Sequence, residues 1–114
     1  MPNDINAILK EYVKGLAEII GMSLKQIILY GSYAKGTQNQ DNEYSDIDIM
    51  ILVDLSDYEI RELEKEISDY TYELDLKYDV LFSPIIENLD YYNQRANYIL
   101  FYQNVRMEGV VLSG

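Results

Sequence analysis

Asp46 and Asp48 stand one residue apart in Asp46-Ile47-Asp48-Ile49-Met50-Ile51-Leu52-Val53, a branched, apolar run that reads as a strand. At the two-residue period of a strand, both carboxylates project from one face. Two carboxylates so placed can share a hard cation, and magnesium in particular is held by one or two carboxylates together with substrate phosphates. The plainer alternative is a loop-capping Asp46 and a solvent-exposed Asp48. It leaves an aspartate in an otherwise apolar strand without a partner, and an unpaired buried charge costs several kcal/mol. Asp79 repeats the anomaly in a second run, Lys77-Tyr78-Asp79-Val80-Leu81-Phe82, read as a strand stopped by Ser83-Pro84. A lone strand aspartate is also what guards a sheet edge. If the two strands are neighbours, three negative charges meet, and a divalent cation resolves their repulsion. Finally, Gly31-Ser32 follows the short apolar run Gln26–Tyr30 and precedes Tyr33-Ala34-Lys35-Gly36, a possible helical turn. Backbone N–H groups and the Ser32 hydroxyl would there point at an anion beyond the strand end, although most Gly-Ser pairs are simply turns.

These residues need elements to hold them. From Asp4 to Gly21 the apolar residues Ile5, Ile8, Leu9, Tyr12, Val13, Leu16, Ile19 and Ile20 recur at steps of three and four, which predicts an amphipathic helix with Asn3 or Asp4 as N-cap and Gly21 as stop. Thr37 to Ser45 is polar and reads as an exposed loop. The strand after Asp48 is apolar on both faces from Ile49 onward, as a central strand covered by helices would be. Ser56-Asp57-Tyr58-Glu59 has capping-box spacing, and Ile60, Leu63, Ile67, Tyr70 and Leu74 continue it as a helix with one apolar stripe and a solvated acidic face. Ile85 to Asn97 has no clear pattern. Tyr98, Phe101, Tyr102 and Val105 fit one helix face ending at Gly109, and Val110-Val111-Leu112 suits a short strand. The alternation of types predicts an α/β domain with helices packed on a small sheet.

Composition narrows the chemistry. The 114 residues carry 9 Lys+Arg against 20 Asp+Glu, a net charge of −11, with 48% hydrophobic residues. That suits one small domain spanning 1–114. Affinity for a polyanion comes from Lys and Arg, so direct nucleic-acid binding is not expected. With no Cys and no His, thiol catalysis, Cys/His zinc sites and Ser-His-Asp triads are excluded, and catalysis must rest on carboxylates, Lys, Tyr and hydroxyls. No stretch approaches a membrane span and Met1-Pro2-Asn3-Asp4 is not a basic signal start, so the expected compartment is cytoplasmic with no membrane partner. Twelve tyrosines are many for this length. Ordinary packing is the reading for Tyr98 and Tyr102, whereas Tyr91 and Tyr92 are candidate contact residues.

Taken together, Gly31-Ser32, a spacer, Ser45-Asp46-Ile47-Asp48-Ile49-Met50-Ile51 and a later Asp79 resemble the signature of the polymerase-β-type nucleotidyltransferases. The short chain and the ending Phe101-Tyr102-Gln103-Asn104-Val105-Arg106-Met107-Glu108-Gly109-Val110-Val111-Leu112 resemble the minimal branch, the MNT proteins, typically the antitoxin half of HEPN/MNT toxin–antitoxin pairs. Two features depart from the family: a spacer of 13 residues, Tyr33 to Ser45, read as a lengthened loop, and Tyr33 where a basic residue often follows the Gly-Ser pair, with Lys35 two residues on. The resemblance implies a polymerase-β-like palm with a small mixed sheet. It implies ATP as substrate, with magnesium, as two ions, held by Asp46, Asp48 and Asp79, and Gly31, Ser32 and Lys35 on the nucleotide. Its reaction is transfer of AMP to a hydroxyl, a tyrosine of a partner HEPN ribonuclease toxin. Stoichiometric neutralisation without catalysis, and adenylylation of a small hydroxylated molecule, stand as the alternatives.

Overall fold

The computed structural model describes residues 4–35 and 46–114, and the expected loop at 37–45 lies outside them. Helix α1 (Ile5–Ile20) buries Ile8, Leu9, Tyr12, Leu16 and Ile20 along one stripe. Asp4 caps it by accepting the Ala7 N–H at 3.1 Å, and Gly21 ends it. A 3-10 turn, Gly21–Ser23, leads into β1 (Leu24–Tyr30), the single-turn helix α2 (Ser32–Lys35) and, beyond the undescribed stretch, β2 (Ile47–Val53). Helix α3 (Asp57–Tyr78) opens with the expected reciprocal box: the Glu59 N–H donates to Ser56 Oγ, and the Ser56 N–H donates to Glu59 Oε1.

After α3 the structure departs from expectation. Lys77 to Phe82 is not a strand: α3 runs on to Tyr78, and Asp79 takes the left-handed conformation of a helix C-cap, with φ 52°. The apolar stripe of Ile60, Ile67 and Leu74 sustains the helix to this point, and Asp is among the few residues that tolerate left-handed backbone without help. The third strand, β3, spans Phe82–Asn88 and contains Pro84 instead of ending there. Proline is accommodated because β3 lies at a sheet edge, where one side of the strand has no ladder to complete. Residues beyond it form α4 (Leu89–Arg95), α5 (Leu100–Glu108) and β4 (Val110–Ser113).

The strands order as β3-β2-β1-β4, with β2 parallel to β3 and antiparallel to β1, and β1 antiparallel to β4. The sheet is therefore small and mixed, flanked by helices on both faces. Alternation sends Ile27, Leu29, Ile47, Ile49, Ile51 and Val53 towards α1 and α3, and Ile28, Met50 and Leu52 towards Tyr92 of α4 and Val105 of α5. The double-sided burial of β2 is what its unbroken apolar run requires.

Tyr91 is exposed and Tyr102 packs half-buried, as expected, but the assignments of Tyr92 and Tyr98 exchange. Tyr92 is 3% exposed in the smaller core, because α4 turns it down onto the sheet, whereas Tyr98 is 66% exposed in the link before α5.

The layer of α1 and α3 depends on a close approach. A side chain at Gly15 would overlap the ring of Tyr70, which stacks on Tyr12 and donates its hydroxyl to the Glu11 carbonyl at 2.7 Å. Beneath it the Tyr12 hydroxyl meets Thr71 Oγ1 at 2.8 Å, and Thr71 in turn donates to the Ile67 carbonyl. Alanine at position 15 gains about 1 kcal/mol of helix propensity but displaces that ring, and overpacking costs about 1–3 kcal/mol. We therefore expect Gly15→Ala to lower unfolding stability by roughly 1 kcal/mol in urea titration. A stabilised variant would contradict this packing.

Candidate active site

Three chain segments meet at one end of β1 and β2. The register pairs Tyr30 with Asp48, so the turn after β1 lies beside the start of β2. Gly31 adopts φ +76°, and a side chain there would collide with Asp48 Oδ2. The glycine is thus required twice, for its left-handed backbone and for the space that the carboxylate fills. Ser32 follows as the first residue of α2. The Lys35 side chain lies outside what is described.

Asp46 is exposed just ahead of β2, and Asp48 is half-buried inside it. Burial pushes the Asp48 carboxyl above the ordinary carboxylate range, and the neighbouring charge of Asp46 pushes it further. Two carboxylates on alternate positions, one partly desolvated and both negative, form an oxygen donor set that suits a hard divalent cation. The third expected member stands apart. Asp79 is exposed at the end of α3, where its N–H donates to the Asp75 carbonyl. Among the described residues no group of three carboxylates is placed to hold one ion. The residue that β3 sets opposite Asp48 is Ser83.

Sequence reasoning missed Asp75. This half-buried carboxylate accepts the Phe82 N–H through Oδ1 at 2.9 Å, fastening the end of α3 to the first residue of β3. Burial raises its pKa against that stabilising bond, and the charge of Asp46 adds to the rise. The Leu81 carbonyl accepts the Ile47 N–H at 2.8 Å, so the same junction also steadies the residue between Asp46 and Asp48. Its only sequence signal is a carboxylate next to the apolar stripe residue Leu74.

Comparison with known proteins agrees with this geometry. Residues 9–102 match the family model for the nucleotidyltransferase domain. A Methanocaldococcus jannaschii protein named "Putative protein adenylyltransferase" is 38% identical over 105 residues, covering 91% of this chain and 93% of that one. Among solved structures, a chain of a mutant toxin–antitoxin complex, MntA-HpeT, superposes with TM-score 0.56 at 25% identity, covering 93% of this chain and 73% of that one; the mutant carries two aspartates, one residue apart, changed to glutamate. A toxin–antitoxin structure with AMP-PNP matches with TM-score 0.55 at 25% identity, over 92% and 73% of the two chains. The mixed α/β fold and these matches define a nucleotidyltransferase. The chain belongs to the nucleotidyltransferase-domain family and, within it, to the minimal nucleotidyltransferases.

The electrostatics carry a testable sign. A carboxyl whose pKa is raised on folding binds its proton more tightly in the folded state, so stability falls as pH rises from the ordinary carboxylate range through the raised value. At neutral pH, without metal, ionised Asp48 opposes folding. We expect Asp48→Asn to melt a few degrees above wild type at pH 7 in chelator. The gap should narrow as pH is lowered through that window. An asparagine variant less stable than wild type at pH 7 would refute the repulsion.

Proposed function

We propose that this enzyme transfers AMP from ATP to a tyrosine hydroxyl of a partner HEPN ribonuclease toxin, and that this modification silences the toxin in the cytoplasm. The observation that carries the reading is the fit of Asp48 Oδ2 into the space beside left-handed Gly31, with Asp46 next to it: a Gly-Ser turn and a carboxylate pair share one end of the sheet. Support comes from the relative's name as a protein adenylyltransferase and from the toxin–antitoxin and AMP-PNP structures.

In this mechanism the Gly31-Ser32 turn binds the β- and γ-phosphates through backbone N–H groups and the Ser32 hydroxyl, with Lys35 as a further contact. Asp46 and Asp48 are the residues that would hold magnesium. The bound cation supplies neutralisation of the triphosphate's charge. The acceptor oxygen attacks the α-phosphorus, a new P–O bond forms, the bond to pyrophosphate breaks, and the acceptor's proton leaves to a nearby carboxylate or to solvent. The −11 charge complements a basic, RNA-binding toxin and speeds encounter. With 9 Lys+Arg against 20 Asp+Glu, the charge balance disfavours RNA as the acceptor.

The test is intact-mass analysis of the protein encoded beside this one after incubation with this enzyme, ATP and magnesium. We expect an AMP-sized increment, its rate falling on the order of a thousandfold for Asp48→Asn, because such a clamp is worth several kcal/mol. Asp79→Asn, at an exposed helix cap apart from the pair, should leave the rate close to that of wild type. No increment, with a stable complex formed equally by wild type and the Asp46→Asn/Asp48→Asn variant, would replace catalysis with stoichiometric neutralisation.

A further inference from the structure

The face of the sheet that carries Asp48 also carries a row of aromatic rings that the transfer chemistry does not use. Tyr30, the register partner of Asp48, meets Phe101 edge-on at 5.7 Å between centroids, with 81° between planes. Phe101 meets Tyr102 at 5.2 Å, and Tyr102 meets Tyr92 at 5.8 Å, again edge-on. Tyr92 is buried and Tyr102 is tied by its hydroxyl to Glu87 Oε2 at 3.1 Å, so the far end of the row is anchored. Phe101 is the ring that the row leaves open. It is 42% exposed on the first turn of α5 and has no polar atom to satisfy.

We propose that Phe101, backed by Tyr30, is the platform on which the base of the bound nucleotide stacks. The proposal rests on the nucleotide-transfer reading above and adds the residue that holds the base. Tyr30 immediately precedes Gly31, so a triphosphate seated on the Gly31-Ser32 turn has this aromatic row as its neighbouring wall. Perpendicular packing on Tyr30 and Tyr102 fixes the Phe101 ring before a ligand arrives, so little ordering is lost on stacking. A ring without donors or acceptors grips any base by its π-face. Such a contact favours the larger purines without reading their edges. A protein docking on the same exposed ring is the rival occupant, and the test separates the two.

Binding is measured by calorimetry with magnesium for two probes, AMP-PNP and inorganic tripolyphosphate, the second having phosphates but no base. Phe101→Ala should weaken AMP-PNP about tenfold or more while leaving tripolyphosphate unchanged, and Phe101→Trp should bind AMP-PNP at least as well as wild type. Unchanged tripolyphosphate binding also shows that the variant is folded. If Phe101→Ala binds AMP-PNP within twofold of wild type, the platform is refuted and the exposed ring belongs to a protein interface. If Phe101→Ala weakens both probes equally, the ring shapes the phosphate site and does not hold the base, which also refutes the proposal. Failure of wild type to bind either probe overturns the nucleotide-transfer reading itself, and this one with it.

Discussion

Strand β2 is hydrogen-bonded on both edges and covered on both faces, and the remaining elements arrange themselves around that constraint. From Ile49 to Val53 every residue is buried, so no charge is tolerated along that length. Charge is confined to the strand's first turn of pleat, where Asp46 is exposed and Asp48 half-buried. The antiparallel register with β1 then brings Tyr30 and Gly31 to the same end, and the parallel register with β3 brings Ser83. The candidate site lies there, where the central strand meets solvent beside the turn that follows β1.

The cost of that placement is electrostatic. Asp48 sits partly desolvated, against a backbone turn and next to another negative charge, and Asp75 adds a second half-buried carboxylate that feels Asp46. A fold selected for stability alone would replace at least one of them with a neutral residue. The packing of α1 and α3 offsets this burden elsewhere: the stacked rings of Tyr12, Tyr70 and Phe82 and the buried Tyr12–Thr71 hydrogen bond lie on the opposite face of the sheet from Met50 and Leu52. One face of the sheet is given to the larger core, and the other is shared between a smaller core and the candidate site.

Much of this was legible in the residues. The stripe Ile8, Leu9, Tyr12, Leu16 and Ile20, the Ser56/Glu59 box and the unbroken run after Asp48 each predict the element observed, because short-range periodicity and capping act within one element. Gly31-Ser32 and Asp46/Asp48 were legible as a pair of features, and the register explains why they meet. The third carboxylate was not. Asp79 lies in a run as apolar as a strand, but α3 begins at a strong N-cap and carries its stripe through Leu74, and nothing stops it before a residue that tolerates left-handed backbone. Where a strand and a helix compete for the same short apolar segment, the element already propagating prevails, since extending a helix adds one bond for each residue fixed.

The same displacement explains what stayed invisible at the C-terminal end. Moving β3 to Phe82–Asn88 uses Pro84 inside a strand, which only an edge position permits, and edge position is a property of the whole sheet. It also moves the junction, so Asp75 becomes the carboxylate that receives the Phe82 N–H, and α4 turns Tyr92 inward while Tyr98 falls in a link. None of these follows from local pattern, because each depends on which residue of β3 stands opposite Asp48. The aromatic row beside Asp48 arises in the same way: Tyr30 is fixed by β1, Tyr92, Phe101 and Tyr102 by two short helices, and only the packed sheet brings them into one line. A carboxylate pair and a Gly-Ser turn can be found by type and spacing, since the chemistry they suit dictates both. Residues that shape the surroundings answer to packing and emerge only once the register is known.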